Sequence, residues 1–451
     1  MGRLFGTDGV RGIANTELTT ELAMDIGRAA ATVLSDGESR KPTFVIGSDT
    51  RASSDMLGAA LIAGLCSVGA DVIQLGVVPT PAVAFLIRKY GADAGVMISA
   101  SHNPAEFNGI KIFNENGFKL PDMIEEKIED LILEKEKSYA KPIGGNVGKV
   151  TYATEAAADY INHIKSTAYC ALDGMKIAID CANGAASVTA PTLFTDLGAD
   201  VHILSDKPDG VNINRDCGST HLEALAEYVV KNGLECGIAF DGDADRCLCV
   251  DEAGNVIDGD MIMAVCALDL KNRGKLNKNT VVGTIMSNFG FGKFCEDNDL
   301  RFIATKVGDR YVLEEMLLED YSFGGEQSGH VIFRDYASTG DGQLTATQLL
   351  MILRQSGKKL SKLASVMTRY PQTMVNLRIS AEGKIAFYTD RAIKEKLDEV
   401  KSILGKSGRI VVRPSGTEPL IRVMVEGIDT SLIEKIANDV AALISERLGN
   451  K

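Results

Sequence analysis

Tryptophan is absent from this 451-residue chain, and histidine (five) and proline (eleven) are scarce. No stretch approaches the roughly 18 uninterrupted apolar residues that a membrane helix requires, so no membrane insertion is expected. A basic run is also missing, and the net charge is −13. Nucleic acid is therefore not the expected partner, because little would neutralise its phosphates. The nine cysteines form an odd set without paired spacing, and no Cys/His cluster has zinc-ligand spacing. Reduced thiols in a cytosolic protein fit this better than a disulfide framework. The N-terminal run Met1-Gly2-Arg3-Leu4-Phe5-Gly6 lacks an apolar signal core and has Gly6 where a myristoylation site needs Ser or Thr. A cytoplasmic location is expected.

What the chain does have is length and alternation. Its size exceeds one ordinary core, so several domains are expected. Short Val/Ile-rich strands alternate with amphipathic helices, the pattern of an α/β protein. Strands are expected at 42–48, 71–75 and 94–99, with helices at 52–69, 79–90 and 121–137. The stretch Lys141–Asn146 reads as a linker. The pattern restarts with strands at 174–181, 200–204 and 236–240 and a helix at 220–232. A third restart has helices at 259–273, 288–298 and 308–319 and strands at 279–285 and 301–305. After Tyr370-Pro371 the register changes to strands at 373–380, 409–413 and 420–427 with helices at 387–403 and 430–448. The expected division is 1–150, 151–253, 254–370 and 371–451. Each conspicuous motif falls in a different segment, as a cleft between domains would require.

Ser101 ends the first such motif, where the apolar strand Gly95–Ile98 breaks into Ser99-Ala100-Ser101-His102-Asn103-Pro104. A hydroxyl at the end of a buried strand is held rigidly while the loop beyond stays open. Taken alone, the run reads equally as a strand-end turn. The second motif, Asp241-Gly242-Asp243-Ala244-Asp245-Arg246, also follows an apolar strand. Three carboxylates so close together repel one another unless a cation sits among them. Hard oxygen ligands at that density suit Mg²⁺, and the spacing is not that of an EF-hand. An Asp-x-Asp pair after a strand also allows a different chemistry, with Asp241 itself as a phosphatase nucleophile.

Two further loops look built for a ligand. Gly324-Gly325-Glu326-Gln327-Ser328-Gly329-His330 offers acceptors and donors suited to sugar hydroxyls, or it is a polar hairpin. Arg413-Pro414-Ser415-Gly416-Thr417-Glu418-Pro419, with Arg422 beyond it, offers an anion nest and guanidinium groups for a phosphate. Gly6-Thr7-Asp8-Gly9-Val10-Arg11-Gly12 lacks the Lys-[Ser/Thr] ending of a P-loop, so nucleotide binding is not indicated. Lys306-Val307-Gly308-Asp309-Arg310 on its own is a helix N-terminus.

Together, in this order and spacing from Gly6 to Pro419, these segments resemble the phosphohexomutase (α-D-phosphohexomutase) family, and the resemblance spans nearly the whole chain. It implies three mixed-sheet α/β domains followed by a C-terminal α+β domain of the TATA-box-binding-protein-like class. Gly-Glu-Gln-Ser-Gly-His together with Lys-Val-Gly-Asp-Arg-Tyr is most similar to the bacterial branch acting on glucosamine phosphates. The implied activity is interconversion of glucosamine 6-phosphate and glucosamine 1-phosphate through a 1,6-bisphosphate, for UDP-N-acetylglucosamine and the cell wall. A phosphoglucomutase or phosphomannomutase is the nearest alternative, a metal-dependent phosphatase or a non-catalytic sugar-phosphate sensor more distant ones.

The resemblance also assigns roles. Ser101 corresponds to the serine that carries the phosphoryl group, and its phosphate would complete one Mg²⁺ site per subunit with Asp241, Asp243 and Asp245. His102, Lys111, Arg11 and Arg246 correspond to residues around the transferring group, with Lys111 a candidate for acid/base work. Lys306, Gly308, Asp309, Glu326, Ser328 and His330 correspond to substrate contacts. A separate hypothesis, beyond the resemblance, is that Asp309 or Glu326 favours a 2-ammonium group electrostatically. Arg413, Ser415, Gly416, Thr417 and Arg422 correspond to the pocket for the non-transferring phosphate. A hexosamine or glucose 1,6-bisphosphate would activate the enzyme. A homodimer is implied, and in some bacteria a membrane diadenylate cyclase partner.

Overall fold

The computed structural model describes residues 4–6, 8–35, 40–134, 139–415 and 419–449. Gly416 and Thr417 lie outside these residues. The chain groups into two compact units, 1–284 with 305–366, and 285–304 with 367–451.

The first unit opens with a mixed six-stranded sheet. Its order is Val10–Ile13, Phe107–Asn114, Ala94–Ile98, Thr43–Ser48, Asp71–Val77 and Val150–Tyr152. Thr43–Ser48 runs parallel to both of its neighbours, whereas Phe107–Asn114 runs antiparallel to both of its own. Ala94–Ile98 is buried at every position, which explains its unbroken apolar run. Helices Thr20–Leu34 and Ala52–Ser67 lie in contact across one face. A Cβ on Gly64 would meet the Met24 carbonyl oxygen at 2.2 Å, so this glycine sets how closely the two approach.

Strands Val10–Ile13 and Phe107–Asn114 and helix Thr20–Leu34 are additions to the expected set. Phe107–Asn114 hides from a hydropathy reading because it buries Asn108 and Lys111 among apolar neighbours. The expected helix at 121–137 spans Asp122–Leu133, and positions 135–137 lie outside the described residues. The presumed linker Lys141–Asn146 leads into Val150–Tyr152, which pairs with Asp71–Val77. The first sheet thus ends just past residue 150.

The second sheet is five-stranded, ordered Val256–Ile257, Cys247–Asp251, Cys236–Phe240, Lys176–Asp180 and Asp200–Leu204. Cys236–Phe240 and Cys247–Asp251 form an antiparallel hairpin whose connection is the acidic loop 241–246. Val256–Ile257 pairs with Cys247–Asp251, so this sheet extends past residue 253. In a third sheet, Thr280–Thr284 runs parallel to Phe323–Gly325, which pairs antiparallel with Val331–Phe333. The loop Glu326–His330 is therefore a hairpin turn.

Helix Gly342–Ser356, also unexpected, is buried from Gly342 to Met351. Its polar residues disguise it, and their donors find partners, although Gln343 Oε1 and Gln348 Oε1 are buried without one. Gln343 donates to Thr189 at 2.6 Å, Gln348 to Thr167 Oγ1 at 3.0 Å, and Thr345 and Thr347 back-bond to carbonyls one turn earlier.

The second unit holds an antiparallel sheet ordered Gln372–Arg378, Leu420–Gly427, Gly408–Pro414. Helices Arg391–Leu404 and Thr430–Leu448 close it over a core that includes Ile393, Val423, Val425 and Ile436. Residues 285–304 join this unit through Glu426, which is fully buried. Its carboxylate accepts from Asn288 Nδ2 at 3.0 Å, Phe289 N at 3.2 Å and Arg409 Nε at 2.5 Å.

Candidate active site

Ser101 follows the buried strand Ala94–Ile98 and is itself 1% exposed. Its backbone is left-handed, φ 53°, a conformation that costs a non-glycine residue about 1–2 kcal/mol. From that position Oγ donates to Asp241 Oδ2 at 2.6 Å, and His102 Nδ1 lies 3.4 Å away. Strand end and acidic loop thus meet at the predicted nucleophile.

Asp241, Asp243 and Asp245 are 0%, 0% and 5% exposed, which rules out a solvated acidic turn. Each offers an oxygen within 4.8 Å of the others. Asp243 Oδ2 accepts from Thr80 Oγ1 at 2.6 Å and from Lys111 Nζ at 2.7 Å, and Asp241 Oδ1 accepts from Arg246 N at 3.2 Å. Asp243 Oδ1 and Asp245 Oδ1 are buried without any hydrogen-bond partner. Burial, and then the charges of Asp245 and Asp243, push the Asp241 carboxyl well above its ordinary range. Burial also works against ionised Asp245, but Lys111 and the Nδ1–H side of the His330 ring outweigh it and hold this carboxyl low. Three buried carboxylates with two orphaned oxygens fit a hard divalent cation.

A set of cations borders this loop. Lys111, 1% exposed, reaches Asp243 at 2.7 Å, Asp8 at 3.1 Å and Asp245 at 3.6 Å. Burial disfavours its charge, yet the three carboxylates raise its pKa. Beside these carboxylates it is an ammonium that offsets their charge. Asp8 gathers two more cations, Arg11 and Lys119. Burial opposes its ionisation, but Lys111, Lys119 and Arg11 hold it well below the usual range. Arg246 Nε stands 3.9 Å from Asp245, and the Nε atoms of Arg246 and Arg11 are buried without a hydrogen-bond partner. His102 is pushed down to about 4 by burial and then by Arg246 and Arg11, so it is neutral at pH 7.

The hairpin turn 326–330 adds three polar groups. Ser328 Oγ is buried without a hydrogen-bond partner. Glu326 Oε1 accepts from Gly308 N at 3.1 Å, and burial, then Asp309, raises its pKa. His330 has neighbours that the sequence does not suggest. It is 3% exposed, with Nδ1 3.6 Å from Asp245 and Nε2 3.5 Å from Asp309. Burial disfavours the imidazolium and both carboxylates favour it, but Gly340 N–H donates to Nε2 at 3.0 Å. That bond needs the Nε2 lone pair, so the ring is neutral with its proton on Nδ1, toward Asp245. His330 orients an acidic-loop carboxylate in addition to any sugar contact.

Asp309 has such a neighbour too. Its carboxylate pairs with Lys119 at 2.5 Å, so its charge is already compensated. Lys306 Nζ lies 5.7 Å from the Tyr311 ring centroid, and Gly308 takes φ 129°, which favours glycine. In the second unit, Arg413 and Arg422 are register partners on adjacent strands. Burial, then the Arg422 charge, lowers the Arg413 pKa. Like charges facing across a ladder repel each other. Ser415 follows, 5% exposed, its N–H bonded to the Leu420 carbonyl at 2.8 Å.

Four domain models of one family match the chain in sequence. Phosphoglucomutase/phosphomannomutase alpha/beta/alpha domain I matches residues 2–139, domain II 158–254, domain III 258–370 and the C-terminal domain 374–443. A phosphoglucosamine mutase of Acetivibrio thermocellus is 54% identical over 449 residues, covering 100% of both chains. The chain belongs to the phosphoglucomutase/phosphomannomutase family. It is accordingly an enzyme, an isomerase that moves a phosphoryl group.

Solved structures agree on the fold. A family protein of Burkholderia thailandensis superimposes with a TM-score of 0.84 at 24% identity, covering 98% of this chain and 97% of its own. N-acetylphosphoglucosamine mutase of Aspergillus fumigatus, solved with GlcNAc-6P and magnesium, gives 0.66 at 18% identity, covering 98% and 95%.

Within this phosphohexomutase, several residues of the site carry no sequence signal. Thr80 sits between two prolines and reads as a helix start, yet it bonds Asp243 through both Oγ1 and its N–H. Lys119 follows an ordinary turn. Gly340 is needed because a Cβ there would stand 2.4 Å from the His330 ring. Asp8 had a hint, lying three residues before Arg11 in a glycine-rich run. Among the described residues no helix is long and apolar enough to cross a membrane. All nine cysteines are free thiols, seven of them buried.

Proposed function

We propose that this enzyme interconverts glucosamine 6-phosphate and glucosamine 1-phosphate, using Ser101 as a phosphate carrier. The observation that carries the reading is the 2.6 Å contact between Ser101 Oγ and a buried carboxylate loop that keeps two unpartnered oxygens. Asp241, Asp243 and Asp245 would hold Mg²⁺, a Lewis acid that offsets charge on phosphoryl oxygens.

In the forward step the Ser101 Oγ–P bond breaks as a bond forms from phosphorus to the free 1- or 6-hydroxyl of the sugar phosphate. The sugar hydroxyl loses a proton and the serine oxygen regains one. His102, neutral and 3.4 Å from Oγ, and ammonium Lys111 are the side chains for proton exchange and charge neutralisation. The bisphosphate turns over, and its other phosphate returns to Ser101. Phosphoryl transfer depends chiefly on positioning and electrostatics, which Arg11, Arg246 and Lys111 provide. Glu326 and Ser328 read the sugar hydroxyls, and Arg413, Ser415 and Arg422 hold the phosphate that is not transferring. A hexosamine or glucose 1,6-bisphosphate would load Ser101 for the first turnover.

Phosphate mapping on Ser101, followed by assays of wild type and Ser101→Ala with glucosamine, glucose and mannose phosphates, tests this. The expected result is alkali-labile phosphoserine, preference for glucosamine phosphate and an inactive Ser101→Ala. Full activity in Ser101→Ala would sink the mechanism. A hydroxylamine-labile acyl phosphate on Asp241 would point to a phosphatase instead.

A further inference from the structure

A left-handed serine persists only where its surroundings over-determine it. At Ser101 the surroundings are a buried network centred on two residues that the catalytic reading does not use. Arg51 and Asp49 have side chains 0% exposed, with Arg51 Nε donating to Asp49 Oδ2 at 2.9 Å. The rest of the guanidinium faces the nucleophile loop. Nη2 donates to the Ser101 carbonyl at 3.0 Å and the Asn103 carbonyl at 2.8 Å, and Nη1 donates to the Pro104 carbonyl. Asp49 completes the circuit. It accepts from Ser99 Oγ at 2.6 Å, from Ser54 Oγ at 3.1 Å and from Arg51 N at 3.0 Å.

Ser99 Oγ in turn accepts from Ser101 N at 2.9 Å. Both backbone groups of Ser101 therefore end on one ion pair, the N–H through Ser99 and Asp49, the carbonyl directly on Arg51. Asn214 Nδ2 adds a second donor to the same carbonyl at 2.9 Å. A buried ion pair is weak evidence for stability, because desolvation consumes much of the attraction. What this pair achieves is geometric. A planar fork with five N–H donors can hold a carboxylate and three loop carbonyls at once, and a lysine cannot.

We propose that Arg51, seated on Asp49, is a positioning residue that clamps Ser101 in its left-handed conformation. The clamp fixes the direction of Oγ toward Asp241 for phosphoryl transfer. This rests on the reading of Ser101 as the phosphate carrier. A rotation of φ toward the right-handed region would carry Oγ away from Asp241 without touching any group that binds substrate. The signature is therefore a fall in kcat at nearly constant KM.

The test uses the full chain loaded with glucose 1,6-bisphosphate and assayed on glucosamine 6-phosphate, comparing Arg51→Lys, Ser99→Ala and Ser101→Ala. We expect Arg51→Lys to lower kcat by about 100-fold with KM within about threefold, as a misplacement near 1 Å would. Ser99→Ala, which removes the acceptor for Ser101 N–H and one donor to Asp49, should still fold, with a melting temperature a few degrees below wild type, and lower kcat by about 10-fold. Ser101→Ala should be inactive. The proposal is overturned if both clamp variants keep wild-type kcat while Ser101→Ala is inactive, or if they raise KM at constant kcat. An active Ser101→Ala would overturn the carrier reading and the clamp with it. Should Arg51→Lys fail to fold, the kcat and KM of Ser99→Ala decide alone.

Discussion

Ser101 Oγ donates to Asp241 Oδ2 at 2.6 Å, so hydroxyl and acidic loop are in contact before any phosphate or ion is added. Phosphorylation would remove this donor and leave Asp241 a bare acceptor. In the metal-free protein Asp241 is disfavoured as an anion, by burial and then by Asp245 and Asp243. Asp241→Asn removes one of three like charges and keeps an acceptor for Ser101. Without metal at pH 7, Asp241→Asn should be more stable than wild type by about 1–3 kcal/mol. It should also lose the rise in melting temperature expected for wild type if Mg²⁺ binds the folded state at this loop. Melts in EDTA and in Mg²⁺ measure both, and a variant less stable in EDTA would remove the repulsion argument.

Thr80 Oγ1 bonds Asp243 Oδ2 across 163 positions of sequence. It fixes one carboxylate oxygen, leaving Oδ1 without a partner. Thr80→Val keeps the shape and deletes this bond. It should weaken Mg²⁺ binding about 10-fold, the size of effect expected when the partner of a ligand is lost. It should cost about 1.5–3 kcal/mol of stability, typical of a hydrogen bond to a charged group. Calorimetric titration with Mg²⁺ and urea unfolding check the two parts, and unchanged affinity would show that Lys111 alone orients Asp243.

What the sequence conceals follows from what is buried with a distant partner. Ala94–Ile98 and Cys236–Phe240 read plainly as strands because every side chain is apolar and buried. Phe107–Asn114 does not, since its Lys111 is neutralised by Asp243, 132 positions away. Gly342–Ser356 is hidden in the same way by Gln343, whose partner Thr189 lies 154 positions away. The acidic loop and Ser101 were each ambiguous alone, and it is their contact that separates a site from two turns. The pairing of Asp309 with Lys119 was also hidden, because nothing local marks Lys119, 190 positions earlier, as its partner.

Asp341 caps helix Gly342–Ser356, with Oδ1 accepting from Leu344 N at 2.9 Å and Tyr160 OH at 2.8 Å. Burial raises its pKa from 3.8 to about 6 against these bonds. Between those values the folded state binds a proton that the unfolded chain has released. This group's contribution is therefore greatest at low pH and declines as pH rises toward 6, then stays level. Asn at 341 keeps an oxygen for both donors and does not titrate. The stability of wild type relative to Asp341→Asn should fall between pH 4 and 6 and be constant above about 6.5, in the window set by linkage. Urea unfolding across that range checks it, and a flat difference would show that the carboxyl is not shifted.

Asp309 and Glu326 are the two carboxylates that could favour a 2-ammonium group, and the structure separates them. Asp309 is compensated by Lys119 at 2.5 Å, so little of its field is left for a ligand. Glu326 spends Oε1 on Gly308 N, and burial holds its charge in a poorly solvated place where a new cation would matter more. Asp309→Asn should therefore change the ratio of kcat/KM on glucosamine and glucose phosphates by less than about threefold, a compensated charge being worth little. Glu326→Gln should change it by about 10-fold or more, in the range of a hydrogen bond to a charged group. Side-by-side kinetics on both substrates decide between them. A large shift in Asp309→Asn with none in Glu326→Gln would return the role to Asp309 and imply that substrate displaces Lys119 from it.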